Sequence, residues 1–260
     1  MNFPDFGLGP LAGQLWTVMF LSVRAGAAML AAPLFGGVAV PVQLRALLGV
    51  ALGVFVMNWV PLPALPAMIS FAGFLALLEE AVIGLALGFV LQLSFAVPMI
   101  AAEQVSGTMG MAIATAVDPG TGAQSGAIGQ FFSLLLTLTF LALGAHLLWF
   151  ELLVESYRLL PAGGGALPAA AGMRMVEFAG AAFTTAAAIA LPMVLVLLLV
   201  QLATGVLSRS APSLNLFALG LPAGVLAGLA ALIAALPVLS AQFATLAEDA
   251  VLQAAALIRP

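Results

Sequence analysis

Three charged side chains lie inside apolar stretches of this sequence, where they could form an ion pair or carry protons. Arg24 stands well inside the first apolar stretch, and the neighbours Glu79 and Glu80 stand near the middle of the third. A charge at the centre of a membrane helix costs about 2.5–3.5 kcal/mol on insertion scales. Such residues usually face a protein interior or a water-filled path. These three residues are therefore the first candidates for a functional site.

The helical spacing around Glu80 places it on one stripe with two glycines. Glu80, Gly84 and Gly88 are four residues apart, so they point along the same face of a helix. Two interpretations remain open: the carboxylates are buried, for pairing or proton transfer, or they lie at an exposed break between two elements. In the first case Arg24 is the obvious partner, because leaving one charge buried alone costs far more than pairing both.

Other chemistry finds little support in the residue types. The chain has no lysine for a phosphate-binding Walker loop and no cysteine for a disulfide, a thiolate ligand or a thiol nucleophile. His146 is the only histidine, which makes it a poor metal ligand and leaves no histidine-rich site. We therefore expect no metal, no cofactor and no enzymatic activity.

The composition indicates a membrane protein. Hydrophobic residues make up 64% of the chain and charged residues 6%, whereas soluble domains carry about 25% charged residues. Six arginines and a net charge of −4 do not provide a surface for nucleic acid. About 20 apolar residues are needed to cross a bilayer as a helix. We predict an all-α fold of about six long hydrophobic helices arranged as membrane-associated hairpins, in the approximate ranges 11–32, 42–60, 68–97, 128–150, 176–205 and 214–240.

Proline and glycine separate the apolar stretches, and no soluble domain or long linker interrupts them. We predict a single membrane domain over residues 1–260, with N-terminal hairpins in 1–127 and C-terminal hairpins in 128–260. Close helix packing is predicted where small residues recur one turn apart. Such pairs are Gly49/Gly53, Gly84/Gly88 and Gly224/Gly228.

The arginines give no orientation in the membrane. If six helices crossed alternately, Arg45 and Arg209 would lie on one side, and Arg158, Arg174 and Arg259 on the other. This balance lacks the bias that fixes topology in ordinary membrane proteins. It is consistent with hairpins that belong to a larger assembly.

The segment 98–127 is too polar for a spanning helix and too apolar for a solvated linker. It contains five glycines and three methionines beside Glu103 and Asp118. It is either a plain connection or a seal that can open, and its composition favours the seal. Methionine gives adaptable apolar contact, and non-helical backbone at membrane depth must be buried in protein or line a cavity.

A series of landmark residues follows one another along nearly the whole chain. They are Arg24, Pro33, Phe35, Pro41 and Arg45; Glu80, Gly84, Gly88 and Phe89; Gly107, Met109, Gly110, Val117, Asp118, Pro119 and Gln130; Phe140, Gly144, His146, Ser156 and Pro161; and Pro192, Gly205, Ser208, Arg209, Pro212, Asn215, Phe217, Gly220 and Pro222. In this order they resemble the FliR family of flagellar export-gate proteins, whose virulence-secretion counterpart is SctT. The resemblance is most specific in the last block. One departure follows the last proline: Ala223-Gly224 stands where many relatives carry a lysine or another polar residue. Contacts made by that lysine cannot be carried over to this chain.

The resemblance implies a structural channel subunit at the flagellar basal body in the bacterial inner membrane. Such subunits assemble with FliP-like and FliQ-like proteins into a helical channel, beside FlhA-like and FlhB-like export components. Unfolded export substrates pass through it. The segment 107–122 then corresponds to the plug of the closed channel. Its candidate residues are Gly107, Gly110 and Gly120 for mobility, Met109 and Met111 for sealing contacts, and Asp118 and Pro119.

The same resemblance extends to the charged and packing residues. Buried-charge or packing roles are expected for Arg24, Glu79, Glu80, Gly84, Gly88, Arg209, Pro212 and Asn215. The last three belong to a hinge at 208–215 between the last two apolar stretches.

Two alternative functions remain. One is a gate subunit of a virulence secretion system. The other is a self-sufficient multi-pass transporter that uses Glu79, Glu80 and Glu103 as proton or cation sites. Transporters of that kind often contain internal repeats with paired broken helices, and the two halves of this chain show no convincing repeat.

Overall fold

The structure, a computed structural model, describes residues 9–37, 40–110, 126–210 and 216–259. Throughout these ranges the regular elements are α-helices, as the composition predicts. Their bounds are α1 Gly9–Ala31, α2 Pro33–Gly36, α3 Val42–Trp59, α4 Phe71–Thr108, α5 Ala127–Ala142, α6 Ala145–Leu159, α7 Ala171–Ser210 and α8 Leu216–Ile258.

The number of possible membrane spans agrees with the sequence. Five of the described helices are long and apolar enough to cross a membrane, and the bent pair α5 and α6 makes a sixth if it is counted as one span. The helices α4, α7 and α8 contain 38, 40 and 43 residues. Each is much longer than the roughly 20 residues that cross the hydrocarbon core.

The predicted single stretch 128–150 is wrong in detail, because it contains a sharp break. α5 ends at Ala142 and α6 begins at Ala145, with an angle of 68° between the two helices. Gly144 lies between them with a φ of +69°. This left-handed conformation is one that glycine adopts without steric cost, so the break lies at the residue that can form it.

The predicted interruption at residue 98 is also wrong. α4 continues through Pro98 to Thr108, so the first residues of the segment 98–127 are helical. A proline removes one backbone hydrogen bond, but membrane helices tolerate this where neighbouring groups satisfy the freed carbonyl. Pro98 lies buried among buried neighbours, including Val97 and Ala101. Tertiary packing therefore stabilises a helix that local sequence preferences would end.

The last helix extends well beyond the predicted stretch 214–240. α8 continues to Ile258 because apolar residues recur with helical spacing among the polar ones. Phe243, Ala247, Ala250 and Ala254 are buried, whereas Glu248 lies exposed on another face of the same helix. The polar residues reduce the hydropathy of this region without interrupting the helix.

The contacts divide the chain into two compact units that alternate along the sequence. The first unit comprises residues 1–93, 144–178 and 249–260, and the second comprises residues 94–143 and 179–248. Each unit combines segments that are distant in sequence. The single membrane domain, with N-terminal and C-terminal hairpins, stays a prediction.

Aromatic side chains lie in the core of each unit. In the first unit Phe20, Leu21 and Tyr157 belong to one buried cluster. In the second unit the rings of Phe132 and Phe243 meet edge to face, with their centroids 5.7 Å apart. The first unit also contains the charged residues that the sequence identifies as candidates.

Candidate functional site

A buried ion pair between Arg24 and Glu80 is the centre of the first unit. Both side chains are almost fully inaccessible, at 0% and 1% exposure. Nε of Arg24 donates to Oε2 of Glu80 at 2.8 Å, and Nη2 donates to Oε1 at 2.9 Å. This two-pronged geometry matches the planar guanidinium to the carboxylate. The pair predicted from Arg24 and the stripe of Glu80 is therefore present.

The remaining donors of Arg24 bind the carboxyl-terminal end of α6. Nη1 donates to the Ser156 carbonyl at 2.8 Å and to its hydroxyl at 3.1 Å, while Nη2 donates to the Leu160 carbonyl at 2.9 Å. All five N–H bonds of the guanidinium are thereby used. The last carbonyls of a helix carry partial negative charge, so one arginine both pairs with α4 and caps α6.

Tyr157 and Gly163 complete the surroundings of the pair. The guanidinium carbon of Arg24 lies 4.1 Å from the centroid of the Tyr157 ring, and the Tyr157 hydroxyl donates to the Leu21 carbonyl at 2.5 Å. The backbone N–H of Gly163 donates to Oε1 of Glu80 at 3.2 Å. Gly163 has a φ of +79°. The glycine run 163–165 thus supplies a hydrogen-bond donor for the carboxylate.

The network joins three helices and a turn through one cation. α1 supplies Arg24, α4 supplies Glu80, α6 supplies Ser156 and Tyr157, and the turn after α6 supplies Gly163. A buried pair does not add much net stability compared with apolar residues, but removing one partner leaves an uncompensated charge. The arrangement therefore specifies how these elements pack, and the full use of its hydrogen bonds indicates a positional role.

The predicted glycine seam lies directly beside the ion pair. A Cβ atom at Gly84 would collide with the Arg24 carbonyl oxygen and lie 2.9 Å from Cβ of Ala27. A Cβ atom at Gly88 would collide with the Ala28 carbonyl oxygen. α1 and α4 thus touch backbone to backbone over two turns. Glycine is required here by the close approach, in the way that small residues bring membrane helices together.

The other two predicted glycine pairs also lie at close contacts. In the first unit, Gly53 of α3 faces the Ser22 hydroxyl of α1, and an added Cβ would lie 2.6 Å from that oxygen. In the second unit, Gly224 and Gly228 of α8 face Met109. Each pair therefore marks a helix contact within its own unit.

Three of the predicted charged residues have different surroundings from Glu80. Glu79 is exposed, because one residue along a helix turns the side chain by about 100° and α4 presents only the Glu80 face to α1. Glu103, also on α4, is exposed. Arg209 lies exposed in the last turn of α7. Within this chain Glu79 and Arg209 are thus exposed, and their role in charge pairing or packing stays a prediction.

The described residues of the predicted plug segment are held by the second unit. Met109 is 2% exposed, and its side-chain atoms would lie 2.5–2.6 Å from a Cβ atom placed on Gly228. The carbonyl of Thr108 accepts a hydrogen bond from Nε2 of Gln201 at 2.5 Å. Gly107 belongs to α4, and Gly110 follows it with a φ of +81°. Met109 therefore packs on α8 of its own chain, and its sealing role stays a prediction.

Several predicted residues lie outside the described ranges. They are Met111, Asp118, Pro119 and Gly120 of the plug segment and Pro212 and Asn215 of the hinge. Conversely, sequence reasoning missed the contributions of Ser156, Tyr157 and Leu160 to the ion pair. Ser156 gave a signal as a landmark of the family resemblance, and Tyr157 gave one as the single tyrosine of a highly apolar chain.

Comparison with protein families identifies the class of protein to which this chain belongs. The family described as bacterial export proteins, family 1, matches residues 15–250 of this chain. Together with the long apolar helices, this match defines a helical membrane protein of bacterial export.

Individual relatives identify the family within this class of export proteins. The flagellar biosynthetic protein FliR of Pectobacterium carotovorum subsp. carotovorum is 33% identical over 217 residues, which are 84% of this chain and 83% of the relative. FliR of Escherichia coli K12 is 31% identical over 222 residues with the same coverage. FliR of Bacillus subtilis 168 is 32% identical over 209 residues, 78% of this chain and 80% of the relative. The chain belongs to the FliR family.

Proposed function

We propose that this chain is a structural subunit of the flagellar type III protein export gate, where it forms part of the channel wall and its plug. The observation that carries the proposal is the family match over residues 15–250. The relatives named above are flagellar biosynthetic proteins, which favours a flagellar over a virulence system. In this role the chain is not an enzyme, and unfolded flagellar proteins are the cargo.

The exposed surface supports a role inside an assembly. In the hydropathic windows of α3 and α8 only 17% of the residues are buried, and in that of α7 only 28%. Large apolar residues such as Leu47, Leu199 and Ile233 are more than 60% exposed. This surface needs lipid or neighbouring subunits to cover it. FliP-like and FliQ-like subunits in the bacterial inner membrane are the proposed neighbours, with FlhA-like and FlhB-like components beside them.

The plug assignment receives support from how the segment begins. Thr108 and Met109 are fixed to α7 and α8 by a hydrogen bond and a buried side chain. A plug needs such a fixed attachment, since a segment anchored at its base returns to the same position after each opening. In this proposal Met109 anchors the plug, and Met111 and the glycines beyond it supply the seal and its movement.

Native mass spectrometry of the tagged chain tests the proposal. The chain is to be co-expressed with the FliP-like and FliQ-like proteins of its own genome and purified in detergent. We expect a defined hetero-oligomer that contains all three proteins. A stable monomer or homo-oligomer in the presence of both partners contradicts the gate function, and ion transport by this chain alone in liposomes assigns it to the transporters.

A further inference from the structure

The first unit contains a groove between α3 and α6 whose two walls differ in chemistry. The groove has a volume of about 450 Å³. Its α3 wall is apolar and aromatic, with Leu52, Phe55 and Trp59, whereas its α6 wall contains the charged residues Glu151, Glu155 and Arg158 beside Phe150 and Val154. The ion pair of Arg24 and Glu80 is not part of it.

The aromatic wall is open and ordered. The rings of Phe55 and Trp59 stack with their centroids 5.6 Å apart, and the two side chains are 44% and 69% exposed. Such an aromatic pair provides a large and rigid contact area. Aromatic side chains of this kind are enriched where proteins bind one another.

The charged wall has two carboxylates but one cation. Arg158 lies 3.4 Å from Glu155, so these two charges compensate each other. Glu151, one turn earlier, is exposed and has no basic group within 4.0 Å in the described part of the chain. An uncompensated carboxylate beside exposed apolar side chains is unfavourable once water is removed. Any occupant that covers this groove must therefore bring positive charge to Glu151.

The spacing of the charges favours a helix over a lipid as the occupant of the groove. Glu151, Glu155 and Arg158 stand at positions i, i+4 and i+7 of α6 and form one row about 10 Å long. A phospholipid headgroup carries its cation and its phosphate a few bonds apart and reaches only part of this row. A second helix has the same rise per residue, so its side chains can match the whole row.

A second copy of this chain does not fit the charge requirement. The chain has no lysine. Arg24 is buried, Arg45 and Arg174 donate to backbone carbonyls, and Arg158 is paired with Glu155 at the end of α6. Arg209 and Arg259 lie at the last turn of α7 and just beyond the end of α8. None of these offers an uncommitted cation in the middle of an apolar helix.

From these observations we propose that the groove binds an apolar α-helix of a different protein chain, which carries a lysine or arginine opposite Glu151 and packs its apolar face on Phe55 and Trp59. The proposal rests on the proposed function in one respect only, namely that the partner is another component of the export apparatus. The groove and its charges belong to this chain alone.

Photo-crosslinking tests the proposal on the full chain in its native membrane. p-Benzoylphenylalanine replaces Phe55 in the groove, and the same substitution at Phe183, which is 64% exposed on α7, is the control. We expect position 55 to crosslink to a peptide from an apolar helix that contains a basic residue. Crosslinks to lipid alone, to a second copy of this chain, or to a helix without a basic residue overturn it.

Charge reversal at Glu151 provides a second, independent test of the proposal. Glu151→Lys places like charges opposite each other and should lower the crosslinked fraction at least about tenfold, because such juxtapositions strongly disfavour binding. Glu177→Lys, at an exposed carboxylate of α7 outside the groove, is the control and should leave the fraction unchanged. Exchange of the partner's basic residue for glutamate should restore the crosslink in the Glu151→Lys chain. An unchanged fraction in Glu151→Lys overturns the proposal.

The outcomes also separate the two proposals. A crosslinked cationic helix from a protein outside the export apparatus retains the groove assignment and overturns only the assignment of its partner to that apparatus. An intact complex with FliP-like and FliQ-like proteins but no helix crosslink at position 55 retains the gate function and overturns the groove assignment.

Discussion

At the residue scale, Arg24 connects parts of the chain that are far apart in sequence. Its side chain binds Glu80 and the carbonyl oxygens of Ser156 and Leu160. The sequence separations of these contacts are 56, 132 and 136 residues. A single fully bonded cation therefore specifies the relative position of α1, α4 and α6, which an apolar side chain cannot do with the same directionality.

Removal of one partner should be much more costly than removal of both. We expect Glu80→Ala to destabilise the chain by about 3–5 kcal/mol, because Arg24 then lies buried without its carboxylate. The double substitution Arg24→Met with Glu80→Leu should recover most of this loss. The measurement is the temperature at which the detergent-purified protein loses its monodisperse peak in size-exclusion chromatography.

Glu79→Ala is the matched control for that prediction. Glu79 is the exposed neighbour of Glu80 on the same helix, and exposed substitutions usually change stability by less than about 0.5 kcal/mol. Equal losses for the two alanine variants would show that burial of the pair is not the reason for the effect.

At the element scale, the helices touch where glycine is present in pairs one turn apart. Gly84 and Gly88 allow α4 to lie against the backbone of α1, while Gly224 and Gly228 of α8 leave room for Met109. The first contact is between two backbones, which cannot move aside. At Gly228 the second contact involves the flexible Met109 side chain, whereas at Gly224 it involves the Met109 carbonyl oxygen. Gly84 and Gly228 should therefore respond differently to an added methyl group.

Substitution of Gly84 by alanine should destabilise the first unit. The new Cβ would meet the Arg24 carbonyl oxygen and Ala27, so α1 and α4 would have to separate. The control Gly26→Ala, in α1, has nothing within 4 Å of its Cβ and should be neutral or stabilising by up to about 1 kcal/mol through helix propensity. Thermal stability in detergent shows whether each substitution stabilises or destabilises the chain. A loss of stability for Gly26→Ala equal to that for Gly84→Ala would refute the explanation by close approach of the backbones.

The contact between Gly228 and Met109 should show coupling. Gly228→Ala forces the Met109 side chain away and should cost about 1–3 kcal/mol, as overpacking does. Combined with Met109→Ala, the same substitution should cost less than the sum of the two single changes, because the smaller side chain frees the space. Unfolding of the four members of this double-mutant cycle measures the coupling. Strict additivity would show that the two side chains do not share this space.

At the scale of the whole molecule, the exposed apolar helices and the FliR family membership point to an assembly. The groove between α3 and α6, the sparsely buried α7 and α8 and the exposed Arg209 all need partners or solvent that this chain alone does not supply. The proposed gate function provides these partners through neighbouring subunits.

The plug proposal leads to a prediction for the assembled complex. Deletion of residues 111–122 leaves Met109 and its contact with α8 in the chain, so assembly should persist while the closed channel leaks small ions. Conductance of the complex in planar bilayers, compared with that of the wild type at equal protein amount, measures the leak. A deletion complex that conducts no more than the wild type would remove the plug role from this segment.

The sequence by itself determined the class of protein, because hydropathy and helical spacing are local properties. It predicted the all-α membrane character, the apolar stretches, the three glycine contacts and the partnership of Arg24 with Glu80. The glycine contacts and the ion pair could be predicted because a charge or a row of small residues in an apolar helix has few acceptable environments. The family resemblance, carried by the order of its landmarks, was confirmed by the comparisons.

Only the tertiary structure decided how the elements end and what they face. Pro98 and Gly144 are both local helix-breaking signals, yet α4 continues through the first and the chain bends sharply at the second. The choice between exposure and burial for Glu79 and Glu80 depends on which face of α4 lies against α1. The cap that Arg24 forms on α6 joins residues more than a hundred positions apart. Such contacts depend on how distant segments pack, and no local pattern encodes that.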